Sequence, residues 1–121
     1  MQKIFLDVNF FIDLTTKRIN IDLKTLENNV LYISPLTIHI FVYVYKIKLP
    51  NQQLKEFLSL FNIAKIDENI VFNSLEGPTN DFEDNIQLHC ASVSGCDLFL
   101  TSDKNLLKMK FFGEMKIVER L

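Results

Sequence analysis

The chain has 121 residues, 48% of them hydrophobic, and a formal net charge of −2. That length suits one domain with enough apolar material for a full core, and the near-neutral balance excludes a strongly basic, general nucleic-acid binder. Gly and Pro, three of each, are too few for an all-β fold of many tight turns, and no apolar run reaches membrane-spanning length.

Residues 4–6 form a short apolar run that ends on Asp7 and reads as a strand buried on both faces. The run is too short, and too soon broken by Asp7 and Asp13, to be a signal peptide. Residues 8–17 carry Phe10, Phe11 and Leu14 at helical spacing, and 19–29 hold one or two turns with Leu23 and Leu26. Residues 30–33 are a second strand. Ser34-Pro35 then opens a helix to about residue 47, with Ser as N-cap and Pro in the first helical position. Pro50 or Asn51 starts the next helix, with Leu54, Phe57, Leu58 and Phe61 at core spacing. A third strand over 63–66 leads to a helix over 68–75 capped by Asp67, and 76–80 is the clearest loop. Asp81 starts a helix whose apolar residues Ile86, Leu88, Ala91 and Val93 end at Gly95. A fourth strand over 97–101 runs into Ser102-Asp103, a short helix follows over 104–110, and 115–118 is a last strand. Strands alternating with helices, without hairpin signals, predict a three-layer α/β/α fold. Its central sheet is mostly parallel, with about five strands in one domain over residues 1–121.

Cys90 and Cys96 are six residues apart, about 9 Å along a helix axis, too far for a disulfide. Free thiols suit a reducing cytoplasm, which is the expected location, with no membrane partner. His89-Cys90…Cys96 lacks the second ligand pair a zinc site needs. His39 and His89 have no acidic partner at triad spacing and read as structural or surface residues. Nucleic-acid contact would fall to local patches: Lys17-Arg18, Lys46/Lys48 and Lys104/Lys108/Lys110.

Asp7 closes the first strand and Asp103 follows the fourth; Asp84 lies in the first turn of the helix before the fourth strand, with Asp81 one turn earlier. In a parallel sheet, strands one and four can be neighbours at the switch point, where ligands bind outside the carboxyl ends. Carboxylates gathered there raise one another's pKa unless a cation is present. A hard divalent ion with oxygen ligands relieves that repulsion, can make hydroxide from water and can steady a phosphoryl transition state. Singly, each of these acids also reads as a helix cap or first-turn acid; together at strand ends they favour the metal reading. Asn9 and Thr101 stand where they would orient Asp7 or Asp103, Asn9 equally as a cap of its own turn. Ser102 stands to bind phosphate or water at a helix N-terminus, or to cap it. A lone Asp7 lacks the paired acids of a phosphoacceptor receiver, and Asp7-Val8-Asn9 fails the Asp-x-Asp of haloacid-dehalogenase phosphatases.

Ile4-Phe5-Leu6-Asp7-Val8-Asn9, with Asp13 beyond, resembles the opening motif of PIN-domain proteins. Ile33-Ser34-Pro35-Leu36-Thr37-Ile38 resembles their second-strand-to-helix junction, Asp81-Phe82-Glu83-Asp84-Asn85-Ile86-Gln87 their acidic helix start, and Asp97-Leu98-Phe99-Leu100-Thr101-Ser102-Asp103 their fourth strand and its terminal acid. The resemblance implies a Mg²⁺- or Mn²⁺-dependent endoribonuclease, most often the toxin of a VapC-type toxin–antitoxin pair. Such toxins act on RNA, commonly form homodimers and are inhibited by a small antitoxin protein covering the acidic site. It implies Asp7, Asp84 and Asp103 as catalytic and metal-binding residues; Asp81, one helical turn from Asp84, stands to supply a compensating ligand. One position departs: six residues after the junction Ser the family usually has Glu, and this chain has Ile40. His39 cannot replace it, being turned by about 100° on the helix. Ile40, expected to face the acidic site or its apolar margin, keeps open a second reading: a PIN fold of impaired catalysis that acts by binding RNA or a protein partner. The region 18–29 is also short for the family, which bears on partner binding.

Overall fold

The computed structural model describes residues 1–16 and 27–121. The Lys17-Arg18 patch and most of the expected 19–29 helix, with Leu23 and Leu26, lie outside the described residues. Among the described residues six strands make one sheet: β1 (Lys3–Leu6), β2 (Val30–Ile33), β3 (Asn62–Ile63), β4 (Leu98–Leu100), β5 (Phe111–Phe112) and β6 (Met115–Val118). Their order is β3-β2-β1-β4-β6-β5, and every pairing is parallel except β5 with β6. β1 is paired on both sides, Phe5 standing opposite Tyr32 of β2 and Phe99 of β4. The chain leaves β1 for β2 and β3 on one side and returns for β4 and β6 on the other, so the switch point lies between β1 and β4.

Alternate strand residues point to opposite faces, and two cores result. Ile4, Leu6, Leu31, Ile33 and Leu100 pack with α1 (Val8–Thr15), α2 (Pro35–Val44) and α3 (Gln52–Leu58) through Phe10, Phe11, Ile38, Phe41, Phe57 and Leu58. The Phe11 ring stands edge-on to Phe41 at 5.6 Å and to Phe61 at 5.5 Å. The other face carries Phe5 and Phe99, stacked at 5.4 Å, beneath α4 (Glu68–Glu76), α5 (Phe82–Val93) and α6 (Lys104–Met109), which contribute Ile70, Ile86, Leu88, Ala91 and Leu106. The three-layer α/β/α arrangement around a mostly parallel sheet is as the sequence implied. The caps also stand where polar residues precede apolar periodicity. Ser34, Asn51 and Asp67 accept from the backbone N–H of Thr37, Leu54 and Ile70 at 3.2, 2.9 and 2.9 Å.

The structure corrects the expected absence of hairpins. Lys110 ends α6 with φ +65°, and Phe111-Phe112 fold back antiparallel on β6 through Gly113-Glu114. Gly113 takes φ +61°, a conformation tight hairpin turns require and glycine adopts freely. β3 is also shorter than expected and starts one residue earlier, and α2 stops at Val44. Among the described residues, no helix is long and apolar enough to cross a membrane.

Candidate acidic site at the carboxyl edge of the sheet

Asp7 is the first residue beyond β1, and its N–H donates to the Leu100 carbonyl at 3.0 Å, tying it to the end of β4. The side chain is 5% exposed. Its Oδ1 accepts from the Val8 N–H at 2.7 Å, capping α1, and its Oδ2 accepts from the Thr101 hydroxyl at 2.7 Å. Thr101 is fully buried, and its Oγ1 accepts from the Asp103 N–H at 3.0 Å. One hydroxyl therefore joins the acid after strand one to the acid after strand four.

Asp103 caps α6 through Oδ1, which accepts from Asn105 and Leu106 N–H at 2.8 and 3.3 Å. Asp81 caps α5 in the same way, its Oδ1 accepting from the Asp84 N–H at 2.9 Å. Capping does not remove these acids from the group: each uses Oδ1 for its helix, and the charges of both act on Asp84. Thr79 and Asn85 fix the approach to α5. Asn85 is buried, accepts from the Thr79 N–H and hydroxyl at 2.9 and 2.6 Å, and donates to the Ser74 and Thr79 carbonyls at 2.8 and 3.0 Å.

The acids share one electrostatic field. Burial raises the Asp7 carboxyl above its ordinary value; the bonds from Thr101 and Val8 oppose that rise, while Asp103 and Asp81 add to it. Asp84 is pushed up from 3.8 to about 7, first by burial and then by Asp81, Asp7, Asp103 and Glu83. Glu83 is raised by burial, Asp81 and Asp7. Glu83 had no role in the sequence reading; its signal was its place in the first turn of α5 beside Asp84. Among the described residues no three His, Cys, Asp or Glu side chains stand close enough together to hold one metal ion.

The remaining expected residues separate. Asn9 and Ser102 are exposed, and the caps next to them are Asp7 and Asp103 instead. Ile40 is half-buried, one turn after Leu36, which packs into the core of the α4–α5 face. His39 is exposed with its ring near Tyr43, and His89 bonds the Gly77 carbonyl at 2.9 Å and stands edge-on to Phe112, so both are structural or surface residues.

No curated protein matches this sequence. Six chains of solved structures match it. One belongs to the crystal structure of VapBC2 from Rickettsia felis bound to a DNA fragment from their promoter. It aligns with a TM-score of 0.68 over 96% of this chain and 97% of that chain, at 15% identity. The likeness shows a shared fold. The family model described as PIN domain matches residues 4–112, a span from β1 to β5 that contains Asp7, Asp84 and Asp103, and the chain belongs to the PIN-domain family.

Proposed function

We propose that this protein is a divalent-metal-dependent endoribonuclease of VapC toxin type, hydrolysing RNA phosphodiester bonds at the acidic edge of its sheet. The observation that carries the proposal is Asp84, held at about 7 by burial and four acidic neighbours. Such a site has more negative charge than its own hydrogen bonds offset, and a cation relieves it. The donors suit Mg²⁺ or Mn²⁺ in kind, all of them carboxylate oxygens; with no three at ligating distance, most of the ion's contacts would fall to water, as Mg²⁺ favours. Asp7, Asp84 and Asp103, with Asp81 as a further donor, would hold the ion largely through its waters rather than by three direct bonds. When bound, such an ion supplies a water of lowered pKa and positive charge against the phosphoryl group. Thr101 sets Asp7 and Asp103 relative to each other through its hydroxyl. Ser102, exposed at the start of α6, would meet a substrate phosphate or water, and Asn9 would help to orient the acids.

A small antitoxin protein as partner is supported by the neighbour's presence in a VapBC2 complex; the homodimer and the cytoplasmic location follow from the same reading. The test is cleavage of a mixed RNA pool with Mn²⁺. The parent is expected to cut, and Asp7→Asn to lose both cleavage and calorimetric Mn²⁺ binding. Equal cleavage by the two proteins would remove Asp7 from the site. Ile40 and the spacing of the acids favour one further reading, a protein of impaired catalysis that binds RNA or a partner. That reading predicts RNA retention without cleavage in parent and variant alike.

A further inference from the structure

Charge is unevenly spread along the chain. Residues 28–55 hold three Lys and no Asp or Glu, so they carry +3 while the rest of the chain carries −5. All three Tyr of the chain, and His39, lie in the same stretch. Most of it is β2, α2 and the start of α3.

α2 turns part of this stretch outward. Tyr43 is 77% exposed, more than any other aromatic ring among the described residues. His39, one turn before it and also exposed, sets its ring 6.3 Å from that of Tyr43 and within 20° of parallel. The imidazole braces the phenol ring, so little side-chain freedom is lost when a further ring stacks on it. Lys46 and Lys48, both exposed, follow where the helix ends. Lys46 takes φ +50° one residue past the Tyr45 cap, a position usually given to Gly. The chain thus keeps a cation there at the expense of backbone strain.

The direction of α2 ties this face to the acidic edge. Phe5 stands opposite Tyr32, and the same register two residues on sets Asp7 level with Ser34, the N-cap of α2. α2 then leads away from that edge, with His39 about 8 Å and Tyr43 about 14 Å along its axis from Ser34. A strand whose backbone is engaged at the acidic edge can therefore continue along α2. Its phosphates match the one positive stretch of an otherwise acidic chain, and its flat bases match the braced ring. A second copy of this chain, docked face to face, would instead set lysine against lysine.

We propose that α2 carries a subsite for single-stranded RNA, where one base stacks on Tyr43 and the phosphates beside it meet Lys46 and Lys48. The inference rests on RNA being what the acidic edge acts on, and it gives that substrate a hold away from the reacting atoms. The stack is indifferent to base identity, since every base has a π-face.

The test is fluorescence anisotropy of a labelled, mixed-sequence RNA dodecamer with the parent protein in EDTA, where no metal-dependent cut occurs. Tyr43→Ala is expected to raise Kd by about tenfold, and Tyr43→Phe to leave it near the parent value. On an abasic strand of equal length, parent and Tyr43→Ala are expected to bind alike. Lys46→Gly, which relieves the strained turn, is expected to melt no lower than the parent. It should nonetheless reduce the slope of log Kd against log salt by about 0.7. An unchanged Kd in Tyr43→Ala, or no RNA binding by the parent, overturns the proposal. So does a dimer that Tyr43→Ala splits while RNA affinity stays put, which assigns the face to a second copy. A second readout does not depend on the Ala variant folding. The chain has no Trp, so its tyrosine emission can be read directly. Unlabelled RNA is expected to quench that emission in the parent, and equal quenching in Tyr43→Phe overturns the stack. Cleavage with Mn²⁺ judges the nuclease reading separately. RNA held through Tyr43 but never cut sinks that reading alone, and RNA cut and bound without regard to Tyr43 sinks this one alone.

Discussion

Burial, and then the charges of Asp81, Asp7, Asp103 and Glu83, hold the Asp84 carboxyl at about 7 against an ordinary 3.8. A pKa raised by folding favours the folded state while the group is protonated. The contribution is complete below the ordinary value and is lost as pH rises through the raised one. Asp7 and Glu83 are raised as well and act in the same direction. Without divalent ions, the melting temperature is therefore expected to fall between about pH 4 and about pH 7. Asp84→Asn should flatten that slope and melt higher at neutral pH. Asp84 is only partly buried, so added salt should weaken the effect. Melts followed by circular dichroism across this range decide it: an equal slope in the variant would put the repulsion elsewhere. Thr101 makes the opposite kind of contribution. Thr101→Val keeps the shape but leaves buried Asp7 without its hydroxyl donor and the Asp103 N–H without its acceptor. Chemical denaturation should show a loss of about 1–3 kcal/mol.

At the scale of elements, the N-caps do two things at once, and this can be separated by substitution. Asp103 caps α6 with Oδ1 alone. Asn is as good a cap as Asp, so Asp103→Asn should keep the stability of α6 while removing the charge. Asp103→Ala should cost about 1 kcal/mol more, and both should abolish cleavage. A stability loss in the Asn variant equal to that in the Ala variant would mean that charge, not capping, holds the helix start. The same residues explain what was legible in the sequence. Strand β1, the Ser34-Pro35 helix start and the caps at Asp67, Asp81 and Asp103 are written in local patterns, and they appear where those patterns put them. The β5–β6 hairpin is not local in that sense: its one signal was Gly113, and Phe111-Phe112 read equally as core residues. The burial of Gln87 escaped notice for a related reason. A polar side chain's burial depends on what distant elements lay over it, and its own neighbours in sequence say little about that.

At the scale of the molecule, the thiols report on the whole fold. Cys90 and Cys96 are free and buried. Burial pushes both up to about 12; Asp67 adds to the rise at Cys90, and at Cys96 Lys3 opposes it while Asp97 adds to it. The thiolate is the reactive form, so the native protein should resist a disulfide reagent at neutral pH, while two thiols should react in denaturant. Labelling should then follow the global unfolding rate or equilibrium; fast reaction of one thiol in the native state would reveal a local opening of α5 or of the turn after it. The placement of β1 has a different consequence, one that concerns the making of the protein. β1 is paired on both sides, with β2 and with β4, and the bond between Asp7 and Thr101 joins residues 94 positions apart. During translation Asp7 is made before Asp84, Thr101 and Asp103, and the acidic edge must wait for all of them. An acidic edge laid out in this order is unassembled while those segments of its messenger are still unread, so the time taken by synthesis is itself a delay before that edge can act.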